Sequence, residues 1–222
     1  MKNNIKKYRL LLAAAILILS AVIGRFIFEE QLNRQVQLTV IIPRGSEQDV
    51  SKLMEGARDC AQDYHLQLDI QYGFAWSEQQ WSQTIQEEKD LGSDGILLLY
   101  PERFLSIQRN NETLSRTYPV PVLCYSEENY TCFPFYASFN QSSVQTEDTV
   151  SDDGLTEERL KQIQEGSLRG VWIPNWYQLG YLCIEKLYFH KNGSSMGNVQ
   201  ADMLWITKKD IDAGTYDALL GE

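Results

Sequence analysis

Three segments of this chain are apolar almost without interruption over the length of a strand: VQLTVIIP (36–43), SDGILLLYP (93–101) and PVPVLCYS (119–126). A strand reads that way only when both faces of its sheet are covered, which is the condition of a parallel sheet between helical layers. The stretches between them fit. After Pro43, Val50, Leu53, Met54, Ala57 and Ala61 recur at helical spacing, with Ser46 as the expected N-cap and Asp49 three residues on. LQLDIQY (66–72) alternates like a strand, and SEQQWSQTIQEEKDLG follows as a helix capped by Ser77, with Trp81, Ile85 and Leu91 on its inner side. A weaker helix, ERFLSIQRNNETLSR (102–116), leads into the fourth strand, and FPFYASFN (133–140) is the fifth. Strand and helix alternate, so the expected fold class is α/β: a parallel five-stranded sheet with helices on both faces.

Beyond the fifth strand the pattern changes. Residues 141–154 are polar and acidic without apolar period and read as a linker. LTEERLKQIQEGSL is a short helix ending at Gly166, RGVWIP a strand, and YQLGYLCIEKLYFHKNG a helix with Leu179, Leu182, Cys183, Leu187 and Tyr188 on one side and Gly193 near its end. ADMLWITKKDI offers a last strand before a polar tail at 213–222.

The N-terminus sets the compartment. LLLAAAILILSAVI (10–23) carries no charge, and Phe26–Phe28 prolong the run to the ~20 residues a membrane-crossing helix needs. Lys2, Lys6, Lys7 and Arg9 precede it and Glu29–Glu30 follow, which orients the N-terminus inside. The expected layout is a cytoplasmic tail at 1–9, a signal anchor at 10–28, a spacer at 29–35 and a folded domain outside the cytoplasm. A removed signal peptide is the competing reading, although no small-x-small cleavage site follows the apolar core. Residues after 28 carry fifteen basic and thirty acidic side chains, a net of −15 that disfavours nucleic acid and anionic lipid surfaces.

Chemistry-bearing motifs are few. Cys60, Cys124, Cys132 and Cys183 fit no metal spacing, and Cys60 and Cys183 fall on apolar helix faces, where a buried thiol is expected. His65 and His190 lie far apart near helix ends. The sequence has no G-x-S-x-G, G-x-G-x-x-G or P-loop, so no catalytic residue, metal or cofactor is expected. Glu87–Glu88 and Glu157–Glu158 read as solvated helix exteriors.

In order and wording, LTVIIP, the helix containing EGARDCAQDY, LQLDIQY and GSDGILLLYP resemble domain one of the type I periplasmic sugar-binding proteins and the LacI-type ligand-binding domains. The passage LKQIQEGSLRGVWIPNWYQLGYLCIEKLYFHKNG is similar to that family's return, with Asn175-Trp176-Tyr177-Gln178-Leu179-Gly180-Tyr181 standing for its N-P-Y-x-x-G-Y turn. ITKKDID is similar to its closing strand and helix cap. The resemblance implies a lobe built from 36–140 with 170–212, and 141–169 as the remnant of a second lobe that is mostly missing. At ligand positions the chain departs from the pattern: Phe139-Asn140 stands where Asp-Asn is common, Pro174 where Gln is, and Arg44-Gly45-Ser46-Glu47 where an aromatic is.

In an open parallel sheet, ligands meet the carboxyl ends of the strands. The ligand-binding candidates there are Arg44, Trp76, Glu102, Tyr125, Asn140, Asn175 and Trp176, with Gln48, Phe74, Tyr100 and Glu127 beside them. Arg44 could pair with a carboxylate, and Trp76 and Trp176 could stack on a flat ligand face. The same aromatics serve equally well to keep water off a half-domain that has lost its cover. The expected function is a non-enzymatic, membrane-anchored extracytoplasmic module that binds a small, sugar-like molecule weakly or docks a permease, a sensor kinase or a full-length binding protein. The alternatives are a small sugar-acting enzyme of glycosyltransferase type, with Asp152-Asp153 as its acid pair, and a degenerate member that binds nothing.

Overall fold

The computed structural model describes residues 34–46, 50–74, 76–103, 118–126, 133–142, 144 and 155–214. The expected tail, anchor and most of the spacer, the helix after Arg103, most of the acidic linker, Gln48, Glu127 and Cys132 lie outside them. Among the described residues no helix is long and apolar enough to cross a membrane. Everything below concerns the compact unit Val36–Glu222.

Among the described residues seven strands form the sheet: β1 (Gln37–Pro43), β2 (Gln67–Gly73), β3 (Gly95–Leu99), β4 (Val122–Tyr125), β5 (Phe135–Asn140), β6 (Gly170–Pro174) and β7 (Val199–Thr207), in the order β2-β1-β3-β4-β5-β7-β6. The helices are α1 (Ser51–Asp63), α2 (Glu78–Leu91), α3 (Glu157–Gln164), α4 (Trp176–Lys191) and α5 (Lys208–Asp212). The five expected strands are present and parallel, and the sheet is two strands wider than expected. Strand β7 adds a sixth parallel strand beside β5, and β6 runs antiparallel to β7 at the far edge. The segment GVWIP is therefore an edge strand.

Burial explains the apolar runs. Every residue of β3 and β4 is buried, whereas edge strand β2 is half-exposed. On one face Leu38, Val40, Leu97, Leu99 and Leu123 meet Leu53, Ala57 and Cys60 of α1 and Leu179, Cys183, Ile184 and Leu187 of α4. On the other, Ile41, Ile96, Leu98, Val122 and Cys124 meet Trp81 and Ile85 of α2. At ~1.5–3 kcal/mol for each fully buried large side chain, these two layers are the main source of stability. A third, separate cluster of Leu160, Ile163, Val171, Ile206 and Ile211 joins α3, β6, the end of β7 and α5.

Local signals differ in outcome. Ser77 caps α2 in a capping box with Gln80, as its sequence predicts. Ser46 does not cap α1: the helix begins at Ser51 after Val50, and the Ser46 hydroxyl accepts from Arg103 Nη1 at 3.1 Å. Glu88 is not a solvated residue. It is 3% exposed, and its carboxylate accepts from the Thr39 hydroxyl at 2.6 Å and from the Gln71 amide, tying α2 to β1 and β2. A buried carboxylate is tolerated only with such partners.

Helices α1 and α4 touch backbone to backbone. A Cβ on Gly180 would lie 1.9 Å from the Leu53 carbonyl oxygen, and one on Gly56 would lie 2.0 Å from that of Tyr177. Three phenols cross the seam: Tyr177 donates to Asp59 (2.8 Å), Tyr181 to Asp63 (2.9 Å) and Tyr64 to Glu185 (2.8 Å). The hydrogen bond to Glu185 pushes Tyr64 from 10.0 up to about 12, and the bonds to Asp63 and Asp59 raise Tyr181 and Tyr177.

Gly180→Ala must push the helices apart, so chemical denaturation should show a loss of ~2 kcal/mol or more, at the upper side of overpacking costs; an unchanged midpoint would contradict the contact. A phenol whose pKa is raised by folding supports the fold fully below its unfolded value. That support is lost as pH rises from 10.0 through about 12. Melting curves over that alkaline window should therefore fall less steeply for the Tyr64→Phe, Tyr181→Phe double variant than for the native chain. Parallel slopes would show that the seam does not hold these protons.

Candidate functional site at the carboxyl ends of the strands

Where β3 ends, Tyr100 takes a left-handed conformation (φ 49°), uncommon for a bulky residue and costing on the order of 1 kcal/mol or more. A single 3-10 turn, Pro101–Arg103, follows. The Arg103 guanidinium lies 4.2 Å from the Tyr100 ring centroid. The Arg103 amide donates to the Tyr100 carbonyl at 3.0 Å. The Tyr100 ring, 2% exposed, packs edge-on against Tyr125 at the end of β4, with centroids 5.4 Å apart. Tyr125 meets Trp176 at 5.2 Å and Phe139 at 5.9 Å, and Phe139 meets Trp176 at 4.9 Å, all edge-to-face. These rings make a continuous aromatic floor across the ends of β3, β4 and β5 and the first turn of α4.

Polar groups rim that floor. Glu102 accepts from the Ser126 hydroxyl at 2.8 Å, one residue past β4. Arg103 reaches Ser46 in the loop after β1. Asn140 ends β5, and its side-chain oxygen accepts from the Ser142 amide (3.0 Å) and hydroxyl (2.6 Å).

The structure brings Glu102, Tyr125, Asn140 and Trp176 to this one place. It puts the other predicted residues elsewhere or gives them another task. Arg44 is exposed, with its guanidinium 5.3 Å from the Phe74 ring at the β1–β2 side of the sheet. Trp76 is half-buried and stacks on Trp81 at 6.1 Å, against the α2 core. The Asn175 side chain caps α4, accepting from the Gln178 amide at 3.1 Å. Both candidate tryptophans pack on core clusters, so neither stands free to stack on a ligand without a structural part to play. Arg103 was not among the expected residues, yet the signal was there: Tyr-Pro-Glu-Arg after an apolar strand is a breaker followed by a turn that returns the fourth residue onto the first.

Among the described residues the thiols and histidines take structural places. Cys60, Cys124 and Cys183 are buried. Burial pushes Cys60 up to about 12 and raises Cys183 further, so neither forms a thiolate near neutral pH. His190 Nδ1 pairs with the Ser194 carbonyl at 2.9 Å, far along α4. Among the described residues no three His, Cys, Asp or Glu side chains are grouped to hold a metal. What the rim offers is the half-buried rings of Phe139 and Trp176 bordered by hydroxyl, carboxylate, amide and guanidinium groups.

No protein-family model matches the sequence, and the search of curated proteins finds no match. Solved structures are similar in fold. An ABC-transporter solute-binding protein from Bacillus halodurans with bound myo-inositol is 8% identical with a TM-score of 0.55, over 83% of this chain and 98% of that one. A glucose-galactose binding protein from Geobacillus stearothermophilus is 9% identical with a TM-score of 0.53, over 81% and 99%. A XylFII–LytSN complex matches at 10% and 0.53, over 80% and 99%. A LacI-family regulator from Brachyspira murdochii is 9% identical at 0.51, over 85% and 99%. With identity this low the likeness is one of architecture, and the architecture of this chain is that of the type I periplasmic sugar-binding proteins and LacI-family regulators.

Proposed function

We propose that the chain is a non-enzymatic, membrane-anchored binding module that takes a small polyhydroxylated molecule, sugar-like in class, on the carboxyl-end face of its sheet. The observation that carries this reading is the pair of half-buried rings Phe139 and Trp176, packed on the buried Tyr125, with the Glu102–Ser126 pair beside them. A sugar ring has apolar C–H faces and hydroxyl edges, so it suits an aromatic surface beside paired acceptors and donors. The neighbours point the same way, since one holds myo-inositol and another is named for glucose and galactose.

The apolar run at 10–28 would hang the domain outside the cytoplasm, N-terminus inside. The stretch between β5 and β6 contributes one helix among the described residues, α3, and we read residues 141–169 as what remains of a second lobe. A ligand on such a shelf is covered on one side, and affinity suffers accordingly. A permease, a sensor kinase or a full-length binding protein would supply the missing cover; one of the structures of similar fold is itself a complex, XylFII with LytSN.

Titration calorimetry of the full-length chain in detergent with monosaccharides and myo-inositol should show saturable binding near the millimolar range, ~−4 kcal/mol. Glu102→Gln, which keeps shape but removes charge, should weaken it about tenfold with an unchanged melting temperature. No saturable heat with any of these compounds would overturn the sugar reading.

A further inference from the structure

Strand β7 belongs to two ladders in succession. Residues 199–202 pair with Ala137–Asn140 of β5, and residues 203–207 pair with Gly170–Pro174 of β6. The change of partner falls between Asp202 and Met203. The part beyond it, comprising α3, β6, the end of β7 and α5, has its own apolar cluster, distinct from the two that cover the main sheet. The Lys208 ammonium further ties α5 to α3 through the Gln164 carbonyl at 2.8 Å. This outer ribbon meets the main sheet through two described chain crossings: Asp202–Met203 within β7, and Pro174–Asn175 between β6 and α4.

Both crossings are bound to each other by one group of hydrogen bonds. The Asp202 amide donates to Gln178 Oε1 at 2.7 Å, and Gln178 Nε2 donates back to the Asp202 carboxylate at 3.0 Å. The Asn175 amide donates to the Asp202 carbonyl at 3.2 Å, and the Asn175 side chain accepts from the Gln178 amide at 3.1 Å. After Pro174↔Met203, the next antiparallel partners would be Asn175 and Asp202. The Gln178 side chain thus stands where a strand backbone would have continued the ladder, at the first turn of the helix that packs on α1.

We infer that Gln178 and Asp202 form a latch that sets the outer ribbon at a fixed angle to the main sheet. The ribbon is then held in place on the main sheet before any ligand or partner arrives. Gln178 is a positioning residue here. The inference does not depend on what the rim binds.

Amide hydrogen exchange on the full-length chain in detergent tests it, because the readout separates the two parts. Gln178→Ala should accelerate exchange about tenfold in peptides covering 157–174 and 203–212 while those covering β1, β3 and β4 keep their native rates. Asp202→Asn retains an acceptor for the Gln178 amide and should exchange like the native chain, whereas Asp202→Ala should fall between. Should Gln178→Ala prove too unstable to purify, the Asn and Ala variants of Asp202 carry the comparison alone. Native rates in the outer ribbon of Gln178→Ala and Asp202→Ala would overturn the latch. So would equal acceleration throughout, which would mean a general support of the fold.

Discussion

The contact between α1 and α4 governs how this chain can be one body. The segment that forms α4 arrives more than a hundred residues after α1, yet at Gly56 and Gly180 the two helices approach until only a hydrogen atom fits on either side. That closeness lets Leu179, Cys183, Ile184 and Leu187 reach the face of β1, β3 and β4 that α1 alone leaves partly open. A parallel sheet is stable only when both faces are covered. Without α4, Leu97, Leu99 and Leu123 would lose part of their cover, so the late return of the chain is a condition of the early strands.

The same helix connects packing to the candidate site. Its first turn carries Trp176 onto Tyr125 and Phe139, and its cap, Asn175, stands beside the point where β7 changes partners. The aromatic floor therefore owes its continuity to α4 as much as to the strand ends. Three links follow from one docking event: a closed core, an interlocked edge-to-face aromatic cluster at the carboxyl ends, and a tethered outer ribbon.

Much of the fold is legible in the sequence because burial leaves a periodic trace. The apolar runs of β1, β3 and β4 and the Ser77 cap are read where they occur. Sheet order leaves no such trace. Strand β7 alternates buried and exposed residues, which announces a strand but not that it would join β5 and then β6. Glu88 was legible and passed over: with Trp81 and Ile85 it occupies positions i, i+4 and i+7 of one helix face, so a charge there had to find Thr39 and Gln71. At the site, Tyr125, Trp176, Glu102 and Asn140 could be expected at strand ends from topology alone. Trp76 could not be distinguished from a rim residue, because a ring just before a helix cap can turn either way. The structure turns it onto Trp81.

The account rests on α4 completing the lobe, and a truncation examines that most directly. A chain ending at Gly154, which retains β1 to β5 with α1 and α2, should show no cooperative thermal transition and should expose apolar surface to a hydrophobic dye. Co-expressing residues 155–222 as a separate fragment should restore the transition. A sharp, cooperative melt for the truncated chain alone would contradict the account, since it would mean that the first five strands need nothing from the returning helix.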